Sequence, residues 1–278
     1  MRQVAEFLVR LALAEDIGPG DITTKGAIPA SLKARAVIRA KEAGIIAGLP
    51  VAKAVFASLD KKIRFVPKIK DGAPVKPGTI VAELSGPARG ILTGERTALN
   101  FLQHLSGIAT LTNRYVKKLR SAKSRAIILD TRKTIPGLRQ LEKYAVRLGG
   151  AANHRLGLHD AFLIKDNHIK LAGGITPAIQ AIKKEYRLKK GPEVEVKNLA
   201  EAREAIAAGA SRLLLDNMDI KILRQAVKLC RRAKVASEAS GGINLGNLRA
   251  VATSGADYIS IGALTHSAPA LDINLKII

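Results

Sequence analysis

From residue 126 onward, short apolar segments of β character alternate regularly with helical patterns, and this order limits the folds open to the chain. Helical patterns at 199–208, 221–233 and 247–254 separate the later segments, and Gly209 and Gly255 follow two of them as expected at helix C-termini. The apolar segments are 126–129, 161–164, 194–196, 212–215, 235–237 and 258–261. The alternation predicts parallel strands joined by right-handed crossovers, as in a β/α barrel.

Each predicted strand ends in charged, polar or glycine residues. In chain order these ends are Asp130-Thr131-Arg132-Lys133, Lys165-Asp166-Asn167-His168, Glu195, Asp216-Asn217, Glu238-Ala239-Ser240-Gly241-Gly242 and Gly262-Ala263. In a β/α barrel the carboxyl ends of the strands converge on one face, where active sites lie. One such end is usually a solvated loop, but six on one face predict a functional cluster.

The last two strand ends have the composition of a phosphate site. In barrels, the loops after the final strands commonly bind phosphate through backbone N–H groups, and glycine permits the close approach. The residues concerned are Ser240, Gly241, Gly242, Gly262 and Ala263.

The earlier strand ends supply cations and two acids. Arginine offers a bidentate fork and lysine a point charge, so a cationic cluster suits a substrate with several carboxylates or phosphates. Its candidates are Arg132, Lys133, Lys165, His154 and Arg155. Glu195 and Asp216 could accept hydrogen bonds from ribose hydroxyls and hold Mg²⁺ directly or through water.

Several other classes of protein fit the sequence poorly. His154 and His159 have no helical ligand spacing, and the single Cys230 offers no thiolate set or disulfide, so we expect no protein-caged zinc. Neither a Walker loop nor a dinucleotide fingerprint is present. No stretch approaches the ~20 apolar residues of a membrane span, so we expect no membrane partner and a cytoplasmic location.

The net charge of +23 admits a nucleic-acid binder as an alternative. However, lysine and arginine are spread along the whole chain, and aromatic residues make up only 3%. This leaves little for base stacking. A solvated basic surface with a site for acidic substrates is the preferred interpretation.

The first hundred residues predict a small β-rich domain with helices at its ends. Val4, Phe7, Leu8 and Leu11 form an apolar stripe at helical spacing. The segment 71–83 has the turns of a biotinyl carrier but lacks a lysine at the tight hairpin tip. Residues 93–121 predict a long helical stretch, with Ser106-Gly107 as the candidate position of a break.

Taken together, these segments resemble the quinolinate phosphoribosyltransferase family over essentially the full length, in order. The matching segments are EDIGPGDITT (15–24), GERTALN (94–100), LDTRKT (129–134), NHR (153–155), IKDNH (164–168), EVEV (193–196), LDN (215–217), EASGG (238–242) and IGA (261–263). The combination is specific, and the high basic content is the one unexpected feature.

The resemblance implies an α/β fold of the type II phosphoribosyltransferases. An N-terminal α/β sandwich domain at 1–108, to which 266–278 return, would precede an open-faced, incomplete β/α barrel at 109–265. The implied reaction joins quinolinate and phosphoribosyl pyrophosphate, with Mg²⁺, to give nicotinate mononucleotide, pyrophosphate and CO₂ in NAD biosynthesis. The implied assembly is a homodimer with shared active sites, or a hexamer built as a trimer of dimers.

The resemblance also assigns roles to individual residues. Arg132, His154, Arg155 and Lys165 would line the quinolinate pocket, with Arg96 supplied by the neighbouring subunit. Lys133 would contact the pyrophosphate, and Glu195 and Asp216 the ribose and Mg²⁺. Lys133, Lys165, Glu195 and Asp216 are thus the catalytic candidates. Ser240, Gly241, Gly242, Gly262 and Ala263 would bind the 5′-phosphate.

Three alternatives remain at this point. A paralogue linked to molybdenum transport would share the fold but use a different acceptor. Nicotinate phosphoribosyltransferase is more remote, and a nucleic-acid-binding protein on this scaffold is favoured only by the charge. The cationic set favours a dicarboxylate, and a binding protein would have no need of Glu195 and Asp216 among cations.

Overall fold

The computed structural model describes residues 2–278 and divides them into two compact units. The first unit comprises the residues up to Asn113 together with Thr134–Gly150 and Leu264–Ile278, and the second comprises Arg114–Lys133 and Ala151–Ala263. Residues 134–150, which the sequence analysis counted with the barrel, therefore belong to the first unit. The functional domain boundary at 108/109 stays a prediction.

Helices and strands account for most of the described chain. The helices are α1 (Arg2–Ile17), α2 (Ile22–Ala27), α3 (Leu49–Leu59), α4 (Ala88–Ser121), α5 (Arg139–Leu148), α6 (Asp166–Ala172), α7 (Ile175–Glu185), α8 (Leu199–Ala207), α9 (Ile220–Ala233), α10 (Leu248–Ala252) and α11 (Ala263–His266). The strands are β1 (Lys33–Ala40), β2 (Gly44–Ile45), β3 (Arg64–Pro67), β4 (Pro74–Val75), β5 (Ile80–Pro87), β6 (Ile127–Leu129), β7 (Leu163–Ile164), β8 (Glu193–Val196), β9 (Arg212–Asp216), β10 (Ala236–Ser240), β11 (Tyr258–Ser260) and β12 (Ile273–Ile277).

The first unit is built on an antiparallel sheet with the strand order β12-β1-β5-β3, and β2 pairs separately with β4. The C-terminal strand β12 lies along β1, with Ile277 opposite Ala36. Apolar side chains form its core, where the rings of Phe56 and Phe65 stack with centroids 6.0 Å apart. The first and last segments of the chain thus share one sheet.

The N-terminal helix buries a different side from the one that its spacing predicted. Leu8, Val9 and Leu13 are buried and α1 packs against α3, whereas Phe7 and Leu11 are 60% and 57% exposed. The predicted stripe is therefore wrong for two of its members. Met1, which opens the predicted helix, lies outside the described residues.

The long helix α4 runs through Ser106-Gly107 without a break. Glycine is required there by packing, because a Cβ on Gly107 would lie 2.0 Å from the carbonyl oxygen of Pro269. The residue that weakens the helix in isolation is therefore the one that lets the C-terminal segment cross it closely.

The second unit contains one sheet of six parallel strands in the order β6-β11-β10-β9-β8-β7. All six strands predicted from the sequence are present within a few residues of their expected bounds. Strands β6 and β7 stand at opposite edges of the sheet, so the barrel is not closed. The predicted α/β class with an open-faced barrel is confirmed.

Side chains on these strands alternate between two faces, as the two-residue period of a strand requires. One face is apolar and fully buried, for example at Val194, Leu213, Ala239 and Ile259. The other carries the polar residues Glu193, Glu195, Arg212, Asp216, Glu238 and Ser240. The candidate site therefore lies on this second face.

Across the described residues, we find no helix with the length and apolar character needed to cross a membrane.

Asp71 connects three parts of the first unit through one carboxylate. It accepts hydrogen bonds from the backbone N–H groups of Gly48 (2.9 Å) and Leu49 (3.0 Å), at the start of α3, and from Tyr144 Oη (2.7 Å) on α5. Gly48 has no side chain with which to cap α3, so Asp71 takes that role from a distant turn. Burial and the bond to Asp71 raise the pKa of Tyr144, so it stays a donor.

We expect Asp71→Ala to lower the free energy of unfolding by about 2–4 kcal/mol, because it removes a helix cap and leaves a part-buried hydroxyl without its acceptor. Tyr144→Phe is the matched control: it removes one of the three bonds and should cost about 1 kcal/mol. Urea unfolding monitored by circular dichroism would measure both. Equal losses in the two variants would contradict the capping role.

Candidate active site

The end of β6 fixes the segment that carries two of the predicted cations. Asp130 is fully buried and accepts hydrogen bonds from Asn153 Nδ2 and from the backbone N–H of His154 (2.8 Å). Ala152 also bridges to Leu129 in parallel register. Residues 152–155 therefore run alongside β6 for a short distance, and His154 and Arg155 lie at the end of this segment.

His154 points into a buried cluster of ionisable groups. Its Nε2 lies 3.4 Å from Glu193 Oε2 on β8 and 3.4 Å from Glu238 Oε1 on β10. Arg212 on β9 approaches Glu238 from another side, with Nη1 3.3 Å from Oε2, and its guanidinium stacks 4.2 Å from the ring centroid of Tyr258. Two carboxylates, one imidazole and one guanidinium group thus meet on the polar face of the sheet.

Burial and charge act against each other in this cluster. Burial lowers the pKa of His154, but the two carboxylates outweigh it and raise the value to about 9. Burial raises the pKa of Glu193. At Glu238 burial is also the largest effect, but His154, Ser260 and Arg212 together outweigh it and lower the pKa. A shared proton and Arg212 therefore balance the two carboxylates.

Within the described chain, His154, Glu193 and Glu238 are also the one group of three side chains whose donor atoms, all within 4.8 Å, could surround a metal ion. Nε2 of His154 faces both carboxylates at ion-pair distance, and Arg212 supplies further positive charge. Because the charges already balance, we interpret the group as a proton-linked cluster rather than a metal centre.

The guanidinium groups of Arg132 and Arg155 lie close enough for their charges to interact. Burial and the charge of Arg132 lower the pKa of Arg155, whose Nη1 donates to the carbonyl oxygen of Ala161 (2.9 Å). Lys133 follows Arg132 and is exposed, and its backbone N–H donates to Thr131 Oγ1 (3.0 Å). Like charges held together in this way favour an anionic ligand.

Lys165 joins the cations to the acids. Its Nζ lies 3.2 Å from Glu195 Oε2, with the lysine side chain 46% exposed and the glutamate side chain 11% exposed. Lys197 forms a similar 3.2 Å pair with Asp166, but both partners are more than half exposed. The Lys165–Glu195 pair therefore marks the place where the cationic and acidic halves of the site meet.

The end of β9 is connected directly to the loop after β10. Asp216 Oδ2 accepts from Asn217 Nδ2 (2.8 Å), and the backbone N–H of Asn217 donates to the carbonyl oxygen of Ser240 (2.9 Å). Gly241 has φ +93°, and a Cβ there would lie 2.2 Å from Asn217 Oδ1. Position 241 therefore requires glycine for both its conformation and its contact.

The loop that begins at Gly242 has free space beside its Cα atom, and hydrogen bonds hold its carbonyl oxygen. Gly242 is exposed, and the nearest atom to a Cβ there would be 4.0 Å away. Its carbonyl oxygen accepts from Asn247 Nδ2 (3.0 Å) and Asn244 Nδ2 (3.3 Å). Gly262 and Ala263 follow β11, which neighbours β10 in the sheet. The predicted phosphate residues therefore lie on adjacent strand ends.

Arg96 belongs to the first unit, on α4, and its side chain is exposed between buried neighbours on the same helix. The other predicted site residues belong to the second unit.

Sequence reasoning missed Glu193 and Arg212 as parts of the site, and it placed Asp130 and Glu238 among the polar strand ends without giving either a role. The signal was present, since charged residues in the apolar strand segments lie two positions before predicted site residues, as Glu193 does before Glu195. Their two-residue spacing places them on the same face, one layer deeper.

Two family models match the chain: quinolinate phosphoribosyl transferase N-terminal domain at residues 21–106 and C-terminal domain at 108–276. The chain is 47% identical over 270 residues to a probable nicotinate-nucleotide pyrophosphorylase [carboxylating] of Synechocystis, covering 96% of this chain and 90% of that one. A protein of Bacillus subtilis with the same name is 45% identical over 263 residues, covering 95% and 90%.

The nicotinate-nucleotide pyrophosphorylase of Francisella tularensis has a similar structure. It superposes with a TM-score of 0.94 at 44% identity, covering all of this chain and 97% of that one. Sequence and fold agree, and the chain belongs to the quinolinate phosphoribosyltransferase family.

Proposed function

We propose that the protein transfers the phosphoribosyl group of phosphoribosyl pyrophosphate to quinolinate, with loss of CO₂. The products are nicotinate mononucleotide and pyrophosphate, which makes it an enzyme of NAD biosynthesis. Relatives at 45–47% identity carry the name of this activity. The observation that carries the proposal is the Lys165–Glu195 pair, because it joins a cationic cluster suited to a dicarboxylate to acids suited to a sugar.

In the quinolinate half, Arg132, Arg155 and Lys165 neutralise the two carboxylates and orient the pyridine nitrogen towards C1′ of the sugar. His154 lines this half from below, and Arg96 completes it from the partner subunit. The repulsion between Arg132 and Arg155 supports this assignment, since a dianion relieves it.

In the sugar half, Glu195 and Asp216 accept hydrogen bonds from the ribose hydroxyls. As the bond from C1′ to pyrophosphate breaks, the sugar develops oxocarbenium character, which these carboxylates stabilise electrostatically. Lys133 contacts the departing pyrophosphate, whose oxygen takes the bonding electrons. The pyridine nitrogen then bonds to C1′ and becomes positively charged.

Decarboxylation follows from that charge. The bond between C2 and its carboxylate breaks, CO₂ leaves, and the electron pair remains on C2 beside the positive nitrogen until C2 is protonated. The protein does not need a covalent nucleophile for this step. It needs only a pocket that holds the pyridine ring in the reactive orientation.

The 5′-phosphate would bind the loops of Ser240, Gly241 and Gly242 and of Gly262 and Ala263. The open space beside Gly242 supports a close approach of phosphate to the backbone N–H groups. Asn244 and Asn247 would hold the loop in place from behind.

Mg²⁺ is the proposed cofactor, and the donor chemistry fits it. Glu195 and Asp216 offer hard carboxylate oxygens at the ends of adjacent strands, the type of ligand that Mg²⁺ takes together with substrate oxygens. When bound, the ion would neutralise charge on the pyrophosphate. The cytoplasm is the proposed location, with a homodimer, or a trimer of such dimers, as the assembly.

We expect quinolinate to be turned over and nicotinate to be a very poor substrate. Nicotinate lacks the second carboxylate and would leave part of the cationic cluster without its anion, at a cost of about 2–5 kcal/mol. The ratio of kcat/KM should therefore be at least about 30 in favour of quinolinate. Chromatographic detection of nicotinate mononucleotide with each acceptor checks this, and comparable turnover of the two would contradict a dicarboxylate pocket.

We expect Glu195→Gln and Asp216→Asn to lower kcat by roughly 100-fold, because each removes a charge that stabilises the developing oxocarbenium ion. Quinolinate affinity, measured by calorimetry, should be kept, and Glu195→Gln should strengthen it slightly by releasing Lys165.

Asp166→Asn is the matched control for these variants, since it breaks the neighbouring lysine–carboxylate pair of the same 3.2 Å length. It should leave kcat within about twofold, as expected for an exposed pair. Loss of quinolinate affinity in the Glu195 or Asp216 variant would show that the two halves are not separate.

We expect Arg96→Ala and Lys165→Ala homodimers each to be nearly inactive, while their isolated mixed dimer recovers about half of the wild-type activity. If Arg96 acts in the partner's site, one site of the mixed dimer collects both changes and the other collects neither. Co-expression with two affinity tags allows the mixed species to be purified and assayed. A mixed dimer as inactive as its parents would mean that Arg96 acts within its own subunit or outside catalysis.

A further inference from the structure

The two buried carboxylates of the cluster have no part in the transfer described above. Glu238 is fully buried and Glu193 is 8% exposed, on strands separated by β9. Burying two carboxylates costs free energy unless charged or hydrogen-bonding partners compensate for the lost water. What both carboxylates share is one contact, the Nε2 atom of His154.

His154 is held through each of its polar groups. Nε2 faces the two carboxylates at 3.4 Å, the backbone N–H donates to Asp130 at 2.8 Å, and Nδ1 accepts from the backbone N–H of Arg155 at 2.7 Å. The imidazole therefore extends from the strands to the backbone of Arg155, with both ring nitrogens engaged inside the protein.

We propose that Glu193 and Glu238 are positioning residues for the quinolinate half of the site: they hold the imidazole of His154, which in turn fixes the backbone that carries Arg155. The inference rests on the proposed function, because Arg155 is one of the cations assigned to quinolinate. It separates the roles of two adjacent residues, since Arg155 contacts the substrate and His154 orients Arg155.

The positioning requires the tautomer that carries its hydrogen on Nε2, because Nδ1 must keep a lone pair to accept the N–H of Arg155. The two carboxylates raise the pKa of His154 to about 9, and burial raises the pKa of Glu193. The cluster therefore holds an additional proton, and when Nδ1 accepts from Arg155 this proton lies on the carboxylate side. Arg212 on Glu238 and the guanidinium of Arg132 near Arg155 complete the charged surroundings.

The isosteric variants Glu193→Gln and Glu238→Gln test the inference by kinetics. Each should raise KM for quinolinate about 10-fold, and the double variant more, while KM for phosphoribosyl pyrophosphate and kcat stay within about threefold. A general loss of structure would move both KM values together, so this split separates positioning from folding.

A double-mutant cycle with Arg155→Ala tests whether the carboxylates act through Arg155. Once Arg155 is absent, Glu238→Gln should add less than about threefold to KM for quinolinate, because residues that act through one another are not additive. Asp257→Asn is the control, because Asp257 accepts from Ser237 N and Oγ at the opposite ends of the strands. It should leave the ratio of the two KM values unchanged.

A nuclear magnetic resonance measurement supplies a readout that needs no activity. In the ¹⁵N-labelled protein, the Nε2–H of His154 should give a slowly exchanging downfield resonance, because it is buried and faces two carboxylates at 3.4 Å. This resonance should shift in each single variant and be lost to exchange in the double variant. Its assignment is confirmed by its absence from His154→Gln.

The outcomes separate the two proposals. If the wild-type protein fails to turn over quinolinate, the proposed function is wrong, and an imidazole resonance unaltered in the double variant overturns the positioning as well. If the wild-type protein is active but the variants raise both KM values equally, or add fully to Arg155→Ala, the positioning alone is overturned. A stoichiometric divalent ion bound by His154, Glu193 and Glu238 would also overturn it.

Discussion

The second unit depends on a constraint of parallel strands: with a two-residue period, each strand must satisfy two faces at once. On the outer face, Val194, Leu213 and Ala239 are buried without polar groups. On the inner face, the same strands carry charged residues in their middle as well as at their ends. Such strands are stable only if the charges on the inner face compensate one another. The charge pairs that form the site therefore also stabilise the fold.

The inner face meets this condition in two layers. In the deeper layer, Glu193 and Glu238 are matched by Arg212 and by the proton that they share with His154. In the upper layer, Arg132 is close enough to lower the pKa of Arg155, while Lys165 pairs with Glu195. Two guanidinium groups are thus kept close together, which suits the dianionic substrate proposed for this half of the site.

Local patterns predicted the elements of this unit well. Strand and helix periods, glycine residues at helix ends and polar residues at strand ends depend only on residues that are close in the sequence. They failed where distant residues decide. The unbroken helix at Gly107 depends on Pro269, and the exposure of Phe7 depends on how α1 meets α3. No local pattern shows that Asp71 caps α3.

The candidate site divides in the same way. The strand-end residues Arg132, Lys165, Glu195 and Asp216 could be read from their positions after apolar segments, and the structure brings Lys165 and Glu195 together. Their roles towards substrate stay predictions. Glu193 was missed because a charged residue normally argues against a strand position, and Glu238 was predicted as part of a polar strand end rather than as a buried partner of His154. Only the pairing of β8, β9 and β10 makes their burial understandable.

The residues between the predicted ligands explain how the sugar half keeps its geometry. Asn217 adopts φ 52°, which asparagine tolerates better than most residues, and this lets one side chain and one backbone N–H serve different strands. It donates to Asp216 within its own strand end and to Ser240 on the next, and Gly241 packs against it without room for a Cβ. Asp216, which is proposed to bind the ribose, and the loop at Ser240, which is proposed to bind its phosphate, are therefore rigidly connected through Asn217. Since the ribose and its 5′-phosphate are joined covalently, a rigid connection of this kind would, in the proposed complex, fix the position of C1′ between the acids and the cations.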